Sequence, residues 1–200
     1  MARKTEITRE RILEVGLNKI RKDGYGSLTI HSLASEIGCS TQPIASQFGN
    51  MPGLREALRE YALAYANGKM EPKKQTGTGM FEDVGRGYIG LALYEPKIFQ
   101  FLFMEGYAGQ VGHGLESLVS DEENKELAAM ISHTYDITTE HAKAYIENTI
   151  VYTHGIASLV AAGVICEEEE KLLERINQAG NQFLIAAGVT KEQMTREDEK

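Results

Sequence analysis

The sequence predicts an all-α chain of about nine helices, and three observations lead there. Apolar residues recur at steps of three and four along most of the 200 residues, and no stretch alternates apolar and polar residues as a half-buried strand would. Glycine, proline and short polar capping residues punctuate the segments where helices begin and end. With 42% hydrophobic and 25% charged residues, the composition supports one generous domain or two small ones. No apolar run approaches the roughly 20 residues that span a bilayer, and "MARKTEITRER" lacks an apolar export segment, so a cytoplasmic chain with no membrane partner is expected.

The first element runs from Thr8 to Lys22, where Ile12, Leu13, Leu17 and Ile20 share one stripe and Arg9, Arg11, Lys19, Arg21 and Lys22 rim it. "KDGYGS" stops it. Thr29 then caps a short helix through Ile37, with Leu33 and Ile37 inward, and Gly38 suits the left-handed conformation that closes a helix. Ser40 is the expected N-cap of a third helix, which puts Thr41, Gln42 and Pro43 at its first three positions. Amides there have no intrahelical acceptor, so a proline removes no hydrogen bond. Ile44 and Phe48 point into the core and leave Thr41, Gln42, Ala45, Ser46 and Gln47 on the remaining surface.

Asn50 caps a fourth helix, with Pro52 in its first turn, that ends near Asn67 and Gly68. "KMEPKKQTGTG" reads as a linker. Further helices are expected from Met80 to Tyr94, from Pro96 to about Tyr107, from Glu122 to Tyr135, from Thr138 to Ala162 and from Glu167 to Ala187, with a glycine-rich loop at "GYAGQVGHG". The run Glu167 to Glu170 fits a helix start, where carboxylates meet the positive end of the macrodipole.

Several chemistries are set aside. Cys39 and Cys166 are far apart and lack metal-ligand spacing, so both read as small hydrophobes. His31, His113, His133, His141 and His154 match no H-E-x-x-H or other ligand pattern, so no metal is expected. "GRGYIG", Gly85 to Gly90, matches G-x-G-x-x-G by letter. A dinucleotide site needs a preceding strand, and "MFEDV" is a poor one, so the glycines read instead as bare patches on a helix where a neighbour or ligand approaches closely. With no G-x-S-x-G and no defensible pair of carboxylates, no catalytic residue and no cofactor is assigned.

Two short helices joined at Gly38 form a helix-turn-helix arrangement, with small Ala34 at the crossing and Leu33, Ile37, Cys39, Ile44 and Phe48 fixing the angle. A plain helical hairpin with a polar outer face is the alternative. Charge is divided unevenly: residues 1–60 carry nine Lys and Arg against seven Asp and Glu, or +2, while residues 61–200 carry twelve against twenty-two, or −10. An anionic partner would therefore face the first part.

The segment "RERILEVGLNKIRKDGYGSLTIHSLASEIGCSTQPIASQFGNMPGLREAL" resembles the N-terminal signature of the TetR family of transcriptional regulators at Ile12, Leu13, Gly24, Thr29, Leu33, Ala34, Gly38, Ile44, Phe48 and Leu54. A looser likeness continues in "YIGLALYEPKIFQFLF" and "THGIASLVAAG". The resemblance implies a three-helix DNA-binding domain over residues 1–49 and a helical effector-binding and dimerisation domain over 50–200. It implies that Ser40 to Gln47, with Pro43 and Ala45 among them, enter the major groove of double-stranded operator DNA. There Gln42, Ser46 and Gln47 would meet base edges, and Thr29, Ser40, Thr41, Asn50 and Lys22 would hold phosphates. Two positions depart from the family: Ala45 replaces a usual tyrosine and Met51 a usual lysine, each a backbone anchor.

Of the last two helices, the earlier carries two apolar stripes, so one of its faces is free for a second copy of the chain, and two such helices from each subunit would make a four-helix interface. Tyr145, Thr149, Ile156, Ile176, Gly180 and Phe183 are the expected homodimer contacts. A monomer whose core uses every stripe is the alternative. The family likeness also implies an apolar pocket for a small-molecule effector, for which Tyr61, Tyr65, Tyr88, Phe99, Phe103, Met104, Tyr107, Met130 and Tyr152 are candidates. The resulting expectation is a ligand-responsive repressor, not an enzyme, that leaves a palindromic operator when its effector binds. Two other readings stand beside it: a helical small-molecule-binding protein or enzyme with a structural or vestigial N-terminal part, and an architectural DNA binder without sequence preference.

Overall fold

The computed structural model describes residues 7–71, 78–104 and 122–198. These form ten α-helices and no strand: α1 (Arg9–Asp23), α2 (Ile30–Ile37), α3 (Gln42–Phe48), α4 (Met51–Met70), α5 (Thr78–Tyr94), α6 (Pro96–Phe99), α7 (Glu122–Tyr135), α8 (Thr139–Ala161), α9 (Glu169–Ala186) and α10 (Lys191–Asp198). The all-α expectation holds. Tyr107, His113 and the segment "GYAGQVGHG" lie outside the described residues, as does the middle of the expected linker, residues 72–77. Its first two residues, Lys69 and Met70, continue α4.

Side-chain caps set several helix starts. Thr8, Asn50 and Thr138 accept hydrogen bonds from amides in the first turns of α1, α4 and α8, and Thr29 forms a reciprocal capping box with Ser32 at α2. Gly38 closes α2 at φ +79°, and Cys39 N–H reaches back to the Ala34 carbonyl at 2.9 Å. A side chain in that left-handed conformation would be strained.

Three local expectations need correction. The residue capping α3 is Thr41 rather than Ser40; Thr41 itself has helical angles and makes no side-chain capping bond, and Pro43 stays in the first turn. Pro96 does not open one long helix: α6 ends after a turn and the chain widens into a π-type turn over Gln100–Met104. Ile98, Phe99, Phe101 and Leu102 are all buried there. The sequence reading also missed α10. Its signal is a capping box, with Thr190 Oγ1 accepting from Gln193 N–H at 3.3 Å and Gln193 Oε1 accepting from Thr190 N–H at 2.8 Å.

A continuous apolar cluster joins α1, α2, α3 and α4 to α5, α6 and the facing parts of α8 and α9. Its fully buried members include Ile12, Ile20, Leu33, Ile44, Leu54, Leu58, Ile89 and Phe99. A second cluster gathers α7, the first half of α8 and the end of α9 around Ile131, Ile146 and Leu184. The N-terminal helices are thus seated on α5 and α6 through a shared interior, and that seat orients α3.

Candidate nucleic-acid interface

The outward surface of α3 follows from what its inward side chains do. Ile44 is fully buried and Phe48 nearly so, which turns Gln42 and Ser46, on the opposite side of the helix, to solvent. Both are exposed. Ser46 Oγ bonds back to the Pro43 carbonyl at 3.1 Å, a local contact that leaves its oxygen able to accept. Thr41, Pro43 and Ala45 are half-buried along the flank, and Ser40 is exposed in the turn before it.

A helix of seven residues has little stability of its own, so its neighbours must hold it. Arg9 of α1 lies over the Phe48 ring at 4.4 Å and donates to the Gln47 carbonyl at 3.2 Å, placing a cation at the negative end of α3. Gln47 donates its side-chain amide to the Ile7 carbonyl at 2.8 Å. It is therefore a brace to the segment before α1, half-buried, rather than an outward group aimed at a base edge. Beyond Gly49, Asn50 Oδ1 accepts from Gly53 N–H at 3.0 Å and begins α4. A Cβ at Gly53 would run into the Phe48 carbonyl, so glycine here permits the tight α3–α4 corner. Sequence reading did not mark Gly53, although a glycine two residues inside a helix that starts after a cap is the visible trace of such an approach.

The expected phosphate partners divide. Thr29 is exposed at the α2 start and its Oγ1 accepts the Ser32 amide at 2.9 Å, leaving the hydroxyl hydrogen to donate outward. Lys22 is exposed at the end of α1, while its backbone carbonyl receives Lys97 Nζ. Other basic residues of the region bond within the chain: Lys19 sits 3.2 Å from Asp23 and 3.4 Å from Glu36, and Arg21 sits 2.7 Å from Glu95. Met51, at the family's lysine position, packs against the apolar cluster.

The expected effector residues are distributed over several sites. Tyr88, Phe99 and Phe103 pack with ring centroids 5.1 Å apart; the first two also meet His154, whose Nδ1 is 2.7 Å from the Tyr88 hydroxyl and whose Nε2 is 3.3 Å from Ser158 Oγ. Burial of this imidazole disfavours its charge and lowers its pKa below the ordinary range. Tyr65 instead hydrogen-bonds Glu95, Tyr152 meets the Phe183 ring edge-on at 6.0 Å, and Met130 packs in the second cluster. Tyr61 is half-buried against the first cluster and Met104 is exposed.

A cleft of about 230 Å³ opens elsewhere, between the end of α4, the length of α5 and the start of α9. Gly87 and Gly90 of "GRGYIG" line it. A Cβ on Gly87 would come within 2.7 Å of the Lys69 carbonyl oxygen, so this glycine is the bare patch that lets α5 cross α4 closely. Cys39 is half-buried against the core and Cys166 is exposed, so the reading as a small hydrophobe fits the first alone.

The side chains expected at a dimer contact pack largely within the chain. Thr149, Ile156, Ile176 and Gly180 are buried, Thr149 Oγ1 donates to the Tyr145 carbonyl at 2.8 Å, and a Cβ on Gly180 would lie 3.8 Å from the Tyr145 hydroxyl. Tyr145 and Phe183 are half-buried beside them. These groups close α8 onto α9. The exposed apolar positions of α8 form another stripe, with Val151 45% and Leu159 43% exposed and Gly155 between them at four-residue steps.

No described helix is long and apolar enough to cross a membrane. No protein-family model matches the chain, and no curated protein matches it significantly.

Proposed function

We propose that the chain is a ligand-responsive, DNA-binding transcriptional regulator of the TetR kind, a homodimeric cytoplasmic repressor rather than an enzyme. The observation that carries this reading is α3: a short helix held from behind by Ile44, Phe48, Arg9 and Gln47, presenting Gln42 and Ser46 outward. In this reading Gln42 pairs with a base edge in the major groove, where a glutamine amide takes adenine bidentately. Ser46 is the second base contact. Thr29, Ser40, Thr41 and Lys22 contact phosphates and set orientation.

The partner copy covers the stripe of Val151, Gly155 and Leu159, which nothing within the described chain buries. Pairing through α8 places two copies of α3 about one helical turn of DNA apart, roughly 34 Å or somewhat more, so the operator is palindromic. An effector in the C-terminal part that binds one separation of the two α3 helices better than another shifts the population away from DNA.

The test is a titration of the protein against the DNA upstream of its own gene at several salt concentrations. Binding that weakens steeply with salt supports the regulator.

One observation favours a second reading. Arg9, Lys19 and Arg21 hold partners within the chain, and Ala45 and Met51 lack the family's anchors, as expected of a small-molecule-binding protein or enzyme with a vestigial N-terminal part. Turnover of a small molecule by protein that leaves every duplex unbound would favour that reading.

A further inference from the structure

Helix α1 meets α3 at one end and the C-terminal part at the other. At its start, Gln47 of α3 donates its side-chain amide to the Ile7 carbonyl at 2.8 Å, Arg9 donates to the Gln47 carbonyl at 3.2 Å, and the Arg9 guanidinium covers the Phe48 ring. At its end, Arg21 Nε lies 2.7 Å from Glu95 Oε2 at the α5–α6 junction, and the Lys22 carbonyl receives Lys97 Nζ of α6. Tyr25, just beyond α1, stacks on Phe101 with ring centroids 4.9 Å apart. Between these ends α1 is unbroken and backed by its neighbours. Ile12, Val15, Leu17 and Ile20 are buried, and Gly16 lets the helix press on α4, since a Cβ there would come within 2.7 Å of a Leu58 methyl.

Glu95 is the group on which the far end converges. Its second carboxylate oxygen receives the Tyr65 hydroxyl of α4, and the Arg21 guanidinium lies 5.3 Å from the centre of the Tyr65 ring. The Glu95 side chain is only 15% exposed, so salt screens this pair less than a surface pair. Helix α3 has no comparable anchor at its own start, where Thr41 makes no side-chain capping bond. Arg9 and Arg21 are about 18 Å apart at the helical rise of roughly 1.5 Å per residue. A tilt of about 5° at the Arg21 end therefore carries the other end by about 1.5 Å, enough to take a hydrogen bond out of range.

We propose that Glu95, acting through Arg21 and the length of α1, is a positioning residue that sets the orientation of α3 relative to the C-terminal part. Its own bonds go to α1 and α4, so its effect on α3 is indirect. The consequence for DNA affinity rests on the DNA-binding reading; the mechanical link does not. The two are separable because removing a carboxylate would, by charge alone, strengthen binding of an anionic partner. Loss of positioning has the opposite sign.

The test uses the full chain carrying Cys39→Ala and Ser46→Cys, with spin labels at position 46 on the exposed side of α3 and at the exposed Cys166 beyond α8, diluted in unlabelled chain so that distances within one copy are read. Pulsed electron spin resonance is expected to give a narrow distance distribution that Glu95→Ala and Arg21→Met broaden or shift by about 1.5 Å, the displacement a small tilt of α1 produces. Arg21→Lys, which keeps a cation beside Glu95, should restore it, whereas a role in packing alone would make Met and Lys alike. On a duplex that the wild type binds, Glu95→Ala should weaken affinity about tenfold while base preference and salt slope stay the same, because no base or phosphate contact is removed. A distribution that ignores both substitutions, or that Arg21→Lys fails to restore, would overturn the link along α1. Unchanged or tighter DNA binding by Glu95→Ala would overturn the positioning role. If Glu95→Ala does not fold, Arg21→Met, at a side chain 37% exposed, carries the distance test. A wild type that binds no duplex would end the DNA-binding reading and leave the distance result standing.

Discussion

The Gln47 side-chain amide donates to the Ile7 carbonyl at 2.8 Å, a bond that joins the last turn of α3 to the segment entering α1. Two glutamines five residues apart on one helix are thereby placed differently, Gln47 half-buried and Gln42 exposed. Gln47→Ala removes a half-buried bond worth about 1 kcal/mol. A urea unfolding midpoint is expected to fall accordingly, while the order of preference among operator sequences stays the same.

Gln42→Ala is expected to behave in the opposite way. Gln42 is exposed and faces away from Ile44 and Phe48, so stability should hold within about 0.5 kcal/mol. Discrimination at one or two operator positions should drop by about 1–3 kcal/mol, read by anisotropy against single-base variants of the bound duplex.

Lys22→Ala should weaken all duplexes alike and reduce the salt slope of the binding constant by about one. If Lys22 instead changed sequence preference, it would belong among the base contacts.

Gly53→Ala should be costly although alanine is the better helix former. The added methyl meets the Phe48 carbonyl, a backbone atom that cannot swing aside, so the α3–α4 corner must open. A loss of about 1–3 kcal/mol is expected in denaturant unfolding, together with weaker DNA binding. Gly68→Ala, with open space around its Cβ position, is the control and should be neutral or mildly stabilising.

His154 gives the fold a pH dependence. It faces Tyr88 from α5, Phe99 from α6 and Ser158 on its own helix, and burial lowers its pKa below the value of about 6.5 expected in the unfolded chain. The unfolded chain therefore binds the proton first. Stability is complete above about pH 6.5 and is lost as pH falls through that value toward the lower folded pKa. Unfolding midpoints at pH 7.5 and 5 should differ more for the wild type than for His154→Gln, which has no charge to gain.

Helix periodicity and caps were legible because they are local. Ile12, Leu13, Leu17 and Ile20 had to share a face, and Thr29, Gly38, Asn50 and Thr138 have the side chains or backbone freedom that helix ends need. Three things depended on packing across the chain. Gln47 and Gln42 have the same chemistry, and Ile7, whose carbonyl takes the Gln47 amide, is forty residues away in the sequence. Tyr145, Thr149, Ile176 and Gly180 formed real stripes, but a stripe does not say whether its partner is a helix of the same chain or of another. The hydroxyls of Tyr65 and Tyr88 go to different partners, Glu95 and His154, which spacing along the chain does not show.

The most direct test is selection of bound sequences from random duplexes by the full chain, repeated with Gln42→Ala. The account predicts an enriched palindrome whose half-site centres lie about one helical turn of DNA apart, roughly 34 Å or somewhat more, with one or two positions per half-site relaxed in the variant. Recovery of no enriched sequence, or of a palindrome that Gln42→Ala leaves unchanged, would contradict the assignment of α3 to the groove.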